Sequence, residues 1–383
     1  MNNADPRPLA GVRVLELARV LAGPWAGQLL ADLGAEVIKV ESPAGDDTRA
    51  WGPPFDDDGT AAYFHSCNRG KASIVADFAN ADDLARVRAL AAEADVLIEN
   101  FKLGGLVKYG LDADTLRAAN PALIYCSITG FGQTGPYAPR PGYDFVVQGM
   151  SGIMDLTGEA GGSPQKIGVA FADIFTGMYA TVAIQAALIR RARTGTGDHI
   201  DMSLFDVMTG VLANQGLNAL FGQVPTRMGN AHPNIAPYSV FPCRDGWFIL
   251  AVGNDGQFAK ACTVLGLDGV AADDRFATNA GRIAHRAALT EILSAATARF
   301  DRDGLLAAQA EAGVPAGPIN RVDEALADPH IAARGLVLDM ARADGTPVPG
   351  LATPIRFAEA QLATPRPSPR LGEDDVLTGF APR

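Results

Sequence analysis

The chain has 383 residues, 48% of them hydrophobic and 20% charged, which suits two domains or one large domain with an insertion. A formal net charge of -11 argues against nucleic acid or an anionic membrane as a partner. No run reaches the roughly 18 uninterrupted apolar residues of a membrane span, and the first residues show no basic segment leading into an apolar one, so no secretory signal is expected.

In chain order, Val12–Leu17 reads as a strand. Gly23-Pro24 opens a helix over Trp25–Leu33 that stops at Gly34. Strands at Val37–Val40 and Ser73–Val75 follow, then a helix at Ala81–Ala92, a strand at Val96–Glu99, a helix at Ala113–Ala119 and a strand at Ala122–Ile128. Strands separated by helices of this length imply parallel pairing through right-handed crossovers, that is, a doubly wound α/β sheet. A long helix is expected over Ile174–Arg193, then a strand at His199–Met202 leading into a helix through about Phe221. After Gly222 the pattern changes to a loop at Gly229–Pro237, an antiparallel pair (Tyr238–Phe241 and Trp247–Val252) around Asp245-Gly246, and helices over Gln257–Ala312. We therefore expect a smaller domain of 223–324 within a large one built from 1–222 and 325–383.

Cys67, Cys126, Cys243 and Cys262 form no CxxC pair, and the five histidines never fall at HxxxH or HExxH spacing. Free thiols in a reducing, cytoplasmic compartment are expected, and no metal site. Gly130-Phe131-Gly132-Gln133-Thr134-Gly135 matches GxGxxG after a strand. A dinucleotide site needs a helix opening directly from those glycines, and Pro136, Pro139 and Pro141 forbid one, which leaves a glycine-rich turn.

Asp173 stands immediately before the long helix. On bare sequence it reads first as an N-cap and second as a nucleophile kept ionised by the helix N-terminus, and spacing alone leaves both open. Arg19, Lys39, Arg69, Lys71, Lys102, Lys108 and Arg140 recur near strand ends, where open α/β sheets bind ligands. Arg19 and Lys102, just past strands, are the better candidates for phosphate contacts. His232 reads as a turn residue, and Tyr63 and Tyr143 as pocket or rim residues.

Several segments in order resemble one family. They are Arg19–Pro24, Gly34–Glu41, Asn68-Arg69-Gly70-Lys71, Glu99-Asn100-Phe101, Gly142-Tyr143-Asp144, and Asp173 followed by Gly177. Further on come Asp201–Asp206, Gly229-Asn230 with His232-Pro233, Gly253–Phe258, and Gly313-Val314-Pro315 with Gly317-Pro318. Together they resemble the class III CoA-transferases, the family of formyl-CoA and carnitine CoA-transferases that also contains α-methylacyl-CoA racemase.

The resemblance implies a large Rossmann-like domain built from both chain ends, a smaller α+β domain between, and a homodimer of two subunits threaded like linked rings. The family's catalytic aspartate falls on Asp173, and its CoA contacts around Val20, Leu21, Ala22, Asn100 and Phe101. Arg19, Lys102 and Arg140 are added to these as basic CoA contacts. The formyl-CoA enzymes carry glutamine and arginine where this chain has Leu21 and Ser42. The loop Gly253, Asn254, Asp255, Gly256 and Gln257 corresponds to their glycine-rich loop, and its backbone N–H groups are candidate oxyanion donors. Asn254-Asp255 looks like members that use dicarboxylates such as succinate.

The expected substrates are an acyl-CoA and a carboxylic acid, with no cofactor beyond CoA. A racemase, the nearest enzymatic alternative, needs a proton-transfer group on each face of the α-carbon, and the racemases carry a histidine where this chain has Tyr143. A non-catalytic acyl-CoA-binding protein is the alternative from another class.

Overall fold

A computed structural model describes residues 5–382 of the chain. They form two compact units. The first comprises the chain up to Ile153, Lys166–Gly222 and the chain from Pro329 onward; the second comprises Met154–Gln165 with Gln223–Asp328.

The first unit is built on six strands: β1 (Arg13–Glu16), β2 (Glu36–Glu41), β3 (Ala72–Val75), β4 (Val96–Glu99), β5 (Ile124–Thr129) and β6 (His199–Ser203). They lie in the order β3-β2-β1-β4-β5-β6, and every pairing is parallel. The winding direction reverses between β1 and β4, which leaves a crevice at the carboxyl ends of the strands.

Helices α1 (Ala22–Asp32), α2 (Ala62–Asn68), α3 (Ala81–Glu93), α4 (Ala113–Ala119), α5 (Asp144–Met150), α6 (Ile153–Leu156), α7 (Phe171–Thr194), α8 (Leu204–Gly210) and α9 (Ala213–Leu220) follow the chain. Both faces of the sheet are covered. Val14, Val96 and Ile98 pack with α1, α7 and α8 on one side, while Leu15 and Leu97 pack with Val87, Leu90 and Ala91 of α3 on the other. Adjacent residues thus serve opposite cores, as the two-residue period of a strand requires. Where one helix was expected through Phe221, the chain breaks into α8 and α9, with Ala213 at φ 49°.

Helix α7 starts at Phe171, with Ala170 as its N-cap. Asp173 therefore lies inside the first turn and caps nothing, which corrects its placement ahead of the helix. By length and composition α7 could cross a membrane. Here Ala172, Thr176, Ala180 and Ile184, spaced four apart, are buried against the sheet and α1. One turn beyond Asp173, a Cβ on Gly177 would stand 2.6 Å from the Ala22 carbonyl oxygen and 2.9 Å from the Trp25 Cβ. Only glycine lets α7 approach the start of α1 this closely.

In the second unit β7 (Tyr238–Cys243), β8 (Gly246–Ala251) and β9 (Ala316–Pro318) form an antiparallel sheet. It packs with α10 (Asp255–Leu265), α11 (Asp268–Ala271), α12 (Asn279–Ala284), α13 (Arg286–Thr297) and α14 (Arg302–Glu311) around Phe241, Phe248, Phe258 and Phe276. Residues 154–165 join this unit because Arg227 Nη1 donates to the Asp155 carbonyl and carboxylate at 2.8 and 2.7 Å, and Gly229 N to Gly158 O at 3.1 Å.

Overpacking the α1–α7 contact should be costly. Gly177→Ala is expected to lower unfolding free energy by about 1–3 kcal/mol in urea titration. Gly168→Ala, where a Cβ would meet nothing within 4 Å, should change it by less than about 0.5 kcal/mol. Equal effects at the two positions would refute the close-approach argument.

Candidate active site

Strands β1 and β2 are apolar runs that end in charge. Glu16 and Lys39 are fully buried there, with Lys71 beside them from the segment leading into β3. Lys39 Nζ lies 3.2 Å from Glu16 Oε1 and 2.9 Å from Asp46 Oδ2, and donates to Ala18 O at 2.8 Å. Lys71 Nζ lies 2.8 Å from Glu16 Oε2 and donates to Pro24 O and Asn68 Oδ1, both at 2.8 Å. Burial disfavours the charge on Lys39, but the carboxylates of Glu16, Asp46 and Glu41 more than offset it and raise its pKa. On Lys71 burial wins and the pKa falls. Arg69 also turns inward, to Asp32 and to Leu351 O. Three of the strand-end cations, Lys39, Lys71 and Arg69, are thus buried and bonded to internal partners.

Above these cations runs the β1–α1 turn. Val20 has φ 71°, a left-handed conformation rare for a β-branched residue that persists only where the surroundings fix it. The bonds that fix it are visible. Val20 N donates to both Asp46 carboxylate oxygens at 3.2 Å. Arg19 N donates to Asn100 Oδ1 at 3.0 Å, and Asn100 Nδ2 donates back to Arg19 O at 2.7 Å.

This turn forms one wall of a cleft of about 370 Å³ at the carboxyl ends of β1, β4 and β5, lined entirely from the first unit. Arg19, Val20, Leu21 and Ala22 line it from the β1–α1 turn, and Asn100, Phe101 and Lys102 from the end of β4. Arg140 and Tyr143 line it after β5, and Asp173 from α7. A neighbouring crevice of about 610 Å³ over the ends of β2 and β3 shares Arg19 and Phe101 and is lined also by Ser42, Trp51 and Phe78.

The GxGxxG segment borders the cleft without starting a helix, since the next one is α5. Its first glycine serves backbone contact: a Cβ on Gly142 would stand 2.7 Å from Gly130 Cα. The two main chains touch there and bring Tyr143 and Asp144 beside β5.

Asp144 supplies what Asp173 does not. Its Oδ1 accepts from Ala172 N at 2.8 Å and Asp173 N at 3.4 Å, and its Oδ2 accepts from Gln148 Nε2 at 2.7 Å. Gln148 Oε1 in turn accepts from Ile167 N at 3.0 Å. The N-terminal amides of α7 thus point at Asp144. The expectation that the helix N-terminus keeps Asp173 ionised is overturned: burial first, and the charge of Asp144 second, push its pKa up to about 7. The side chain nevertheless keeps some contact with solvent through the cleft. Burial and the Asp173 carboxylate together push the half-buried Tyr63 up to about 12.

Gly253–Gln257 belongs to the second unit. Asn254 caps α10 by accepting from Gln257 N at 2.9 Å, while Gln257 Oε1 accepts from Gly253 N at 2.8 Å, so that amide is already engaged. Asp255 pairs at 2.7 Å with Arg282, whose fully buried guanidinium also donates to Ala236 O and Phe276 O. His232 is the turn residue expected, its Nδ1 accepting from Asn234 N at 3.1 Å. No cluster of potential metal ligands occurs among the described residues.

A parallel sheet of this order, with a cleft at its switch point and the half-buried Asp173 carboxylate on the cleft wall, is the arrangement of a ligand-binding α/β fold. The sequence pattern of CoA-transferase family III matches residues 9–375, and the chain belongs to that family. It is 59% identical to the succinate–glutarate CoA-transferase of Agrobacterium fabrum over 97% of this chain and 95% of that protein. It is 42% identical to human succinyl-CoA:glutarate CoA-transferase, covering 97% and 85%. The crystal structure of a CAIB/BAIF family protein from Brucella suis superposes with a TM-score of 0.86 at 63% identity over 96% of this chain and 97% of that one.

The raised pKa of Asp173 has a stability consequence. Between the ordinary aspartate value near 3.8 and about 7 the folded state binds the proton more tightly than the unfolded state. Stability from this group is therefore lost as pH rises through that window. Asp173→Asn removes the titration and should melt above the wild type at pH 8, with the gap shrinking toward pH 4. A gap that widens on acidification would contradict the assignment.

Proposed function

We propose that the protein moves CoA from an acyl-CoA donor to a carboxylic acid acceptor, with Asp173 carrying the group covalently. The observation that supports this most directly is the uncapping carboxylate of Asp173 on the cleft wall. An Asp173 oxygen attacks the thioester carbonyl, the C–S bond breaks, and CoA leaves as thiolate from a mixed anhydride. The thiolate attacks Asp173 Cγ and expels the donor acid, leaving an aspartyl-CoA thioester. The acceptor carboxylate then attacks Cγ and frees the thiolate, which attacks the acceptor's acyl carbonyl and releases Asp173. Dividing one hard exchange into these steps is what covalent catalysis achieves. Every attacking group is an anion, so once Asp173 is ionised the transfer steps themselves take up and release no proton.

CoA is placed with its nucleotide end in the 610 Å³ crevice near Trp51 and Phe78 and its thioester arm passing Arg19 and Phe101 toward Asp173. Arg19 and Lys102 meet the phosphates in this placement. The acids in the relatives' names include succinate, glutarate, oxalate and mesaconate, all dicarboxylic acids, and we extend that class to this chain. Four free, buried cysteines suit a cytoplasmic enzyme. The racemase reading lacks its second base: Tyr143 occupies the relevant position and is 64% exposed.

Incubation with succinyl-CoA followed by hydroxylamine should place the label on Asp173 by peptide mass analysis. Asp173→Ala should lower turnover by more than about 10³-fold while leaving the melting temperature equal or higher. Full activity in that variant would end the covalent proposal.

The active form is proposed to be an interlocked homodimer. In support, α7 exposes Met178, Tyr179, Val182 and Ile189, an apolar face of the kind that marks an interface. Differently tagged dimers, when mixed, should exchange subunits only after denaturation. A folded monomer at nanomolar concentration in light scattering would refute it.

A further inference from the structure

A dicarboxylate brings a second negative charge into a cleft whose wall already carries Asp173, with Asp144 hydrogen-bonded behind it. Like charges at such range repel, so productive binding needs a cation placed for the distal carboxylate. Three cations line the cleft: Arg19, Lys102 and Arg140. Arg19 is engaged with Asp47 at 2.8 Å, and its side chain is 63% exposed. Lys102 is exposed, a flexible point charge that suits a phosphate group.

Arg140 is exposed like them and differs in what its guanidinium touches. It makes no ion pair and no side-chain hydrogen bond among the described residues, and its guanidinium rests on two aromatic rings instead. It lies over Tyr137 at 4.6 Å and Phe131 at 5.8 Å from the ring centroids. Its main chain is fixed. Arg140 N donates to Tyr137 O at 2.8 Å, Pro139 and Pro141 flank it, and Gly142 is packed against Gly130. A stacked guanidinium with all its donors free is a preformed fork for a carboxylate, which it binds through two parallel hydrogen bonds.

We propose that Arg140 is the specificity-determining residue for the acid, binding the distal carboxylate of the dicarboxylate whose other carboxylate reacts at Asp173. This rests on the CoA-transfer reading, and it moves Arg140 from the CoA phosphates, where the sequence suggested it, to the acid. Because Arg140 lies on the same short segment as Tyr143 and Asp144, one rigid stretch of chain would both cap α7 and measure the acid.

The test uses the full-length enzyme as wild type, Arg140→Gln and Arg140→Lys. Steady-state kinetics would compare succinate and glutarate with butyrate as acceptors, and calorimetry would measure affinity for free CoA. Arg140→Gln should raise KM for the dicarboxylates about 10- to 100-fold, the range of a charged hydrogen-bonded contact. It should shift relative preference toward butyrate and leave free-CoA affinity within about twofold, a change too small to matter on that scale. Arg140→Lys should recover only part of the loss.

A fall in free-CoA affinity, an equal loss for butyrate and succinate, or an unchanged KM would each overturn the assignment. A wild type that uses only monocarboxylates would overturn it too, while leaving CoA transfer intact. Failure of the underlying reading shows separately, as a wild type that exchanges CoA between no acids at all.

Discussion

Everything at the cleft stands on the buried cluster of Glu16, Lys39, Lys71 and Asp46. Glu16 is shared between the two ammonium groups, at 3.2 Å from Lys39 and 2.8 Å from Lys71. The spare donors of those groups bond to Ala18 O, Pro24 O and Asn68 Oδ1. Replacing a buried ionic cluster with apolar residues often costs a protein nothing in stability. The value of this one lies in where its hydrogen bonds end. Ala18 and Pro24 flank the Arg19–Ala22 turn, and Asp46 holds the amide of Val20. Gly27 completes the fit, because a Cβ there would fall within 1.8 Å of Glu16 Oε2. The charges thus fix a strained backbone that apolar side chains have no means to hold.

Two close main-chain contacts then set the cleft's remaining walls. Gly177 lets α7 press on the start of α1, which puts Asp173 beside Leu21 and Ala22, and Gly130 against Gly142 brings the Arg140–Asp144 segment to the end of β5. The walls come from four separate chain segments, the β1–α1 turn, the end of β4, the stretch after β5 and α7. The sheet register aligns them, since Glu16 pairs with Lys39 across β1–β2 and with Ile98 across β1–β4.

The fold was legible because a buried parallel sheet writes itself as short apolar runs between helical stretches. Every strand of the large sheet falls within a residue or two of its expected place. Many of the residues lining the cleft were legible for a related reason: Arg19–Ala22 and Asn100–Lys102 follow strands and Asp173 opens a helix, whereas Arg140 does neither. What the sequence hid depends on distance along the chain. Nothing local marks Lys39 and Lys71 as partners of Glu16, 23 and 55 residues away, and a strand-end lysine looks the same whether it faces a ligand or a carboxylate. The bond from Ala172 N to Asp144 spans 28 residues. Asp144 and Gln148 at helical spacing were the one local hint of it. The start of α7 was placed three residues late because Phe171, an apolar residue without capping ability, gives no N-terminal signal.

That displacement of three residues changes the chemistry of the site. An aspartate that capped α7 would have its oxygens engaged by backbone amides, which stabilises the carboxylate and lowers its readiness to attack. Asp144 takes over those amides from another helix, leaving the oxygens of Asp173 free on the cleft wall. The same arrangement puts a negative charge behind Asp173 and raises its pKa to about 7, so once ionised it is a more basic carboxylate than an exposed one. An acid–base enzyme would use such a value to shuttle protons near neutrality. In the proposed transfer the ionised carboxylate attacks directly, without passing protons to or from the substrate. One hydrogen-bonded aspartate, Asp144, thereby separates the two roles that the sequence had assigned to a single residue.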